Sequence, residues 1–229
     1  DPVTKSKWDL SDEKAQAKVW KLIRRDKPLV IGMSPECTLF SALQNLRKTP
    51  IPSEDLERAK ACVRFCVEVA RYQRSKGRFF YLEHPLTASS WRMPELAELR
   101  DSESTFDIVL HACRFNLTST DELGEGLVKK PTRVSSNMPS IAGMIDRKCT
   151  GDHRHVHLIS GKAKAAAEYT DDFCKAIVDG IDIYLARSEE VAYNMSSGED
   201  YEMDEEIDIP FAFDKWGVCV DDISGAELP

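Results

Sequence analysis

Two short apolar runs constrain this chain more than any other feature. Residues 29–31 (Leu-Val-Ile) break at Gly32, and residues 79–82 (Phe-Phe-Tyr-Leu) run into Glu83-His84-Pro85. Each follows a segment with apolar groups at helical spacing. Ala15, Val19, Leu22 and Ile23 precede the first run; Leu56, Ala59, Val63, Cys66, Val67 and Ala70 precede the second. Recurrence at three and four residues builds one helix face, whereas a short unbroken run bounded by turn residues is a buried strand. The helix–strand–helix–strand order predicts an α/β fold with a mostly parallel sheet and helices on both faces.

The rest of the chain extends this pattern. A helix over 12–25 is capped by Ser11 and ended by Pro28. Residues 42–52 are a loop with two prolines, and Ser53 caps a helix with Glu54 and Asp55 in its first turn, where the helix dipole favours acids. Further helices are expected over 94–100, 139–147 and from 162 to 184, the last broken near Tyr169-Thr170. Strands are expected over 106–110, 127–134 and 155–159. Beyond 187 the periodicity fades and acids dominate, which divides the chain into a domain over 1–186 and an irregular tail or linker over 187–229. A small apolar island at 211–220 interrupts that tail.

Charge follows the same division. The net charge is −8, but residues 187–229 alone carry −11, which leaves the preceding body at +3. Such a body can approach nucleic acid, while the tail is repelled by it. No run reaches the 18 or more apolar residues of a membrane span. Seven scattered cysteines, several among helix-spaced apolar groups, suit a reduced intracellular protein better than a disulfide framework. A polar start without methionine suggests a piece of a longer chain.

Chemistry concentrates where the apolar runs end, since open α/β sheets gather reactive groups at the carboxyl ends of their strands. Cys37 lies just past the first run, after a turn at Gly32 and Ser34-Pro35, and Glu83 ends the second. Together they can serve as nucleophile and acid. A cysteine hydrolase would need a histidine partner. His84 and His111 are available, but neither sits in a recognisable protease signature. Lys129, Lys130 and Arg133 make a basic patch that suits either nucleic-acid backbone contact or a solvated strand edge. Trp91 either closes over a bound base or plugs the core edge. Cys149, His153, His155 and His157 admit a zinc reading. Structural zinc sites usually draw ligands from two separate knuckles, so a surface strand or polar pocket wall is expected there and no metal is assigned.

These residues resemble the DNA cytosine-5 methyltransferases. Residues 32–41 resemble that family's Pro-Cys-Gln loop, and Phe79 to Pro85 is similar to its Glu-Asn-Val strand. Trp8-Asp9-Leu10 looks like its adenine-site segment. Residues 129–133 fall where the family has its Gln-x-Arg-x-Arg strand, and residues 163–181 resemble its last helical region. The order holds over about residues 8–185. The resemblance implies a Rossmann-like methyltransferase sheet, incomplete on its N-terminal side because the glycine-rich donor segment would lie upstream. It implies methyl transfer from S-adenosylmethionine to C5 of a flipped-out cytosine in DNA. Cys37 would add to C6, Glu83 would hold N3, and Arg133 would position Glu83 or the base. Asp9, Ser34 and Pro35 would bind the donor, and Lys129, Lys130 and Arg133 the nucleic acid. A nuclear location would follow. Glu36 stands where the family has proline, and a carboxylate there disfavours the thiolate. A catalytically degenerate domain that binds nucleic acid or protein is therefore the alternative. Residues 216–228 also resemble a junction in copia-type retrotransposon polyproteins, which implies flanking domains.

Overall fold

A computed structural model describes residues 8–41, 44, 49–158 and 165–197, with side chains considered up to 191. The elements in order are α1 (Glu13–Asp26), β1 (Val30–Met33), α2 (Ser53–Ser75), β2 (Phe79–Pro85) and α3 (Pro94–Arg100). They continue with β3 (Phe106–His111), β4 (Thr118–Asp121), β5 (Gly124–Leu127), β6 (Pro131–Ser136), α4 (Pro139–Ile145) and α5 (Asp171–Ser197).

Four strands form one sheet in the order β1-β2-β6-β3. β1 and β2 are parallel, but β6 runs antiparallel to both β2 and β3. The expected mostly parallel sheet is thus a mixed one. The connections explain this. A helix separates β1 from β2, as a parallel crossover requires, whereas only turns and the β4–β5 hairpin separate β3 from β6, which allows an antiparallel return.

Both sheet faces are covered by helices, as expected. The alternation of β2 shows how: Phe80 and Leu82 enter a core with Val63, Val67 and Ala70 of α2 and Leu96 and Leu99 of α3. Phe79 and Tyr81 enter a second core with Ile141 and Ile145 of α4 and Phe173 and Ile177 of α5. Successive strand residues point to opposite faces, so one strand serves two cores. Gln73 joins the layers, its buried amide nitrogen donating to the carbonyls of Pro28 and Phe79. Gly32 sits under the Tyr81 ring, where a Cβ would collide with the ring atoms.

Several local expectations need correction. Ser11 does not cap α1; Asp12 holds that position, and Ser11 instead bonds Asp9. Ser53 is the first residue of α2 rather than its cap, since Pro52 holds that position in an extended conformation. The expected strand 127–134 is the end of β5 and the start of β6, separated where Lys130 takes a positive φ of 25°. Among the described residues of 155–159, only His155 pairs, in one bridge to Leu127. Helix α5 begins after the expected break at 169–170 and runs past the boundary at 187 to Ser197. Residues 198–229, including the copia-like segment, lie outside the described residues, as do 159–164. No helix among the described residues is long and apolar enough to cross a membrane.

The α4–α5 contact yields a test. A Cβ on Gly180 would lie 2.8 Å from the Ile141 backbone. In a free helix Gly→Ala stabilises by about 1 kcal/mol. Here Gly180→Ala is expected to destabilise instead, by about 1–3 kcal/mol, because two backbones must separate. Urea unfolding followed by circular dichroism reads the sign.

Candidate active site

The site forms where β1 and β2 end side by side. Parallel pairing of Met33 with Leu82 sets Ser34 beside Glu83, and the Ser34 hydroxyl donates to Glu83 Oε2 at 2.7 Å. This bond draws the loop carrying Cys37 onto the end of β2. His84, on the opposite face of the same strand, fixes the loop from below. Its Nε2 meets the Pro35 carbonyl at 2.8 Å and its Nδ1 meets Ser90 Oγ at 2.6 Å. Both ring nitrogens are engaged, so His84 positions the cysteine loop and does not serve as its base. His111, the other candidate, accepts from the Cys149 amide through Nδ1. The hydrolase reading loses its partner in both cases.

Glu83 is buried, with 5% exposure, and two hydroxyls satisfy one of its oxygens. Tyr169 Oη donates to Oε2 at 2.8 Å and lies 2.6 Å from Ser34 Oγ. Burial pushes the Tyr169 phenol far above its ordinary range, and the Glu83 carboxylate adds to the rise. Below this triad is a cavity of about 30 Å³ lined by Glu83, Lys130, Thr132, Tyr169 and Phe173 among others. It has room for about one or two waters.

Cys37 is half-buried in the loop above. Burial raises its thiol pKa first, and Glu83 and Glu36 raise it further; Lys130 opposes them. Lys130 therefore reaches Cys37 electrostatically while its ammonium donates to the Ala166 carbonyl at 2.9 Å.

Arg133 does not join this group. It pairs with His84 in the β6 register and faces that side of the sheet, where its Nε lies 3.2 Å from Asp107 and its guanidinium 5.6 Å from the Trp91 ring centre. Lys130 and Thr132 of the same segment, and not Arg133, line the cavity beside Glu83. The expected basic patch is also divided, since Lys129 is exposed, Lys130 turns inward and Arg133 crosses the sheet. Trp91 is buried and donates to the Pro85 carbonyl, which makes it a core plug rather than a lid.

Asp9 lies at the start of α1 in a turn closed by Ser11, whose hydroxyl and amide both donate to Oδ1. These bonds, the Ser11 hydroxyl foremost, together with Arg58 hold the Asp9 carboxyl down to about 2. The neighbouring Leu10 lines a groove of about 420 Å³ with Ile31, Gly32, Met33, Ser34 and Pro35. This groove lies between β1, α1 and α2 and ends at the cysteine loop. Its volume falls within the ordinary range for small-molecule sites.

Tyr169 escaped sequence reasoning as a site residue because it arrives from 86 residues away; the expected helix break at 169–170 was the available signal. Of the residues considered for zinc, Cys149, His153 and His155 come together, joined by Cys113 from another segment; His157 is not part of the group. No protein-family model matches this chain, and no curated protein or solved structure is similar enough to count as a match.

Proposed function

We propose that this chain is a cytosine-5 methyltransferase-like domain acting on DNA, with Cys37 as nucleophile and Glu83 as the group that holds the base. The observation that carries this reading is the Ser34–Glu83 bond, which places the cysteine loop over a buried carboxyl at the ends of two parallel strands. A flipped cytosine would replace the Tyr169 hydroxyl at Glu83 Oε2, which is why so small a cavity suffices before binding. The Cys37 thiol gives its proton to the Glu83 carboxylate as its sulfur bonds to C6, and Glu83 passes that proton to N3 as electron density rises on the ring. After transfer the C5 proton leaves to solvent or a nearby base, the C6–S bond breaks to release the thiolate, and the N3 proton returns to Glu83.

S-adenosylmethionine supplies the methyl group to C5 when bound. The groove along β1 fits its adenosine part. Leu10, Ile31 and Met33 give apolar walls and Ser34 and Pro35 close the end nearest Cys37, while Asp9 lies outside this lining with its oxygens bonded to Ser11 and Arg58, so it would have to exchange one of them to hold the adenine amino group. Its lining contains no lysine or arginine for the amino-acid carboxylate, so that end would be held by residues outside it.

A second reading, a degenerate domain that binds nucleic acid or a partner protein, is favoured by one observation. Burial and two carboxylates all disfavour the Cys37 thiolate.

The test uses two oligonucleotides. One carries 5-fluorocytosine and is incubated with the chain and S-adenosylmethionine, then analysed by denaturing mass spectrometry. The other carries cytosine deuterated at C5 and is incubated without donor. Addition and elimination at C6 exchange that deuteron, so this arm reports Cys37 alone. A Cys37-dependent adduct supports the full reading. Exchange without an adduct supports the nucleophile and locates the failure at the donor. Neither signal from folded protein that still binds the oligonucleotide supports the second reading.

A further inference from the structure

Four side chains from two separate segments converge beyond β3. Cys113 lies in the 3₁₀ turn Ala112–Phe115, and Cys149, His153 and His155 lie in the loop after α4. One ligand atom from each falls within 4.8 Å of all the others. The Cys149 sulfur is 3.6 Å from His153 Nε2 and 3.4 Å from His155 Nε2. A tetrahedral zinc with Zn–S near 2.3 Å and Zn–N near 2.0–2.1 Å sets sulfur and nitrogen ligands ~3.5 Å apart. Both Cys149–histidine pairs already have that separation.

The surrounding contacts orient the ligands. Asp152 Oδ1 lies 2.8 Å from His153 Nδ1, so the ring can donate to the carboxylate and turn the Nε2 lone pair inward. Metal-binding histidines commonly have such a partner. The Gly151 amide donates to the Cys149 sulfur at 3.3 Å, and the Cys149 amide donates to His111 Nδ1. Both bonds fix the sulfur's position.

This part of the fold needs a staple. Among the described residues, the β4–β5 hairpin and the loop over 146–158 meet at a small apolar cluster of Leu117, Val128, Val156 and Ala166, with Ala112 and Leu158 packed against it. Arg154 ties the loop to the hairpin through Asp121 and the carbonyls of Gly124 and Glu125, and one bridge joins His155 to Leu127. So small a core gives little cooperativity, and structural metals replace such missing burial.

We propose that Cys113, Cys149, His153 and His155 bind one structural zinc ion. Binding releases the two thiol protons, and two thiolates balance the metal charge, so the centre is neutral with its coordination filled. A closed centre has no open position for a reacting water and acts as a fastener. It joins the turn after β3 to the loop beside β5, the segment that leads through Lys129 to Lys130. The proposal is independent of the methyltransferase reading.

The test is metal content and cobalt spectroscopy on the intact chain. The expected result is one zinc per chain. After chelation, Co²⁺ should give the intense visible bands and thiolate charge-transfer band of a tetrahedral sulfur–nitrogen site. Zinc competition against a chromophoric chelator should show affinity lost by more than about a hundredfold in Cys149→Ser and His155→Ala. Asp152→Asn should weaken it by about tenfold through orientation alone. His157→Ala should leave it unchanged. The proposal is overturned if the folded chain takes up no tetrahedral cobalt, if Cys149→Ser binds as the parent does, or if His157→Ala weakens binding as much as His155→Ala. Should the cysteine variant fail to fold, the parent cobalt spectrum and the graded loss in Asp152→Asn still decide the matter.

Discussion

Glu83→Gln is expected to move two measurements of Cys37 in opposite directions. The first is alkylation by iodoacetamide, for which the thiolate is the reactive form. The Glu83 carboxylate raises the Cys37 thiol pKa, so removing its charge lowers that pKa and increases the thiolate fraction at pH 7–8. Alkylation should therefore quicken severalfold. Lys130→Ala should slow it, because the ammonium acts with the opposite sign. The second measurement is C5 exchange on the cytosine oligonucleotide. Glutamine cannot protonate N3, and loss of a positioned acid typically costs about 10²–10⁴ in rate. Exchange should fall by that amount even as the thiol becomes more reactive. If both rates rise together, Glu83 only perturbs the thiol and the catalytic assignment fails. If neither changes, Cys37 and Glu83 do not share a site.

Acid should unfold the domain through His84. This ring is 1% exposed and packs against Phe40 and Trp91, and burial lowers its folded pKa below the ordinary 6.5. The Pro35 carbonyl and Glu83 oppose that shift without cancelling it. The unfolded chain consequently binds a proton at a higher pH than the folded one. Stability is complete above about pH 6.5 and declines as the pH falls toward the lowered folded value, by up to about 1.4 kcal/mol per pH unit from this group. The lowered pKa values of His111 and His155 add slopes of the same sign in metal-free protein. Urea midpoints from pH 7.5 to 5 for the parent and His84→Asn isolate the His84 part. The variant should be weaker at pH 7.5, because the Pro35 and Ser90 contacts are lost, and flatter toward acid. Equal slopes in the two proteins would remove His84 from this role.

The features legible in sequence were those that depend on local periodicity. Helical spacing placed α1, α2 and α3, and the turn after each apolar run placed Cys37 and Glu83 at neighbouring strand ends. Chain direction in the sheet was not legible, because it depends on which connections contain a helix, and residues 118–127 carry too little alternation to reveal a hairpin. Arg133 was misplaced relative to Glu83 for a simpler reason. Val134 is wholly buried in the α4–α5 core, so period two sends Arg133 to the other face, and that parity was present in the sequence. Cys113 and Tyr169 stand for the opposite case. Each reaches its cluster by tertiary folding, and no spacing in the chain encodes either meeting.

The two-sided service of β2 has a consequence for descent. Losing or gaining one residue between Phe79 and Glu83 would exchange the faces, sending His84 toward Lys130 and Glu83 toward Trp91. Both cores and the cysteine loop would lose their partners in that single event. Lineages carrying this domain are expected to hold the strand's length fixed and to take up their insertions elsewhere. The β4–β5 turn is one such place, where Leu123 is 81% exposed and Gly124 has open space around it.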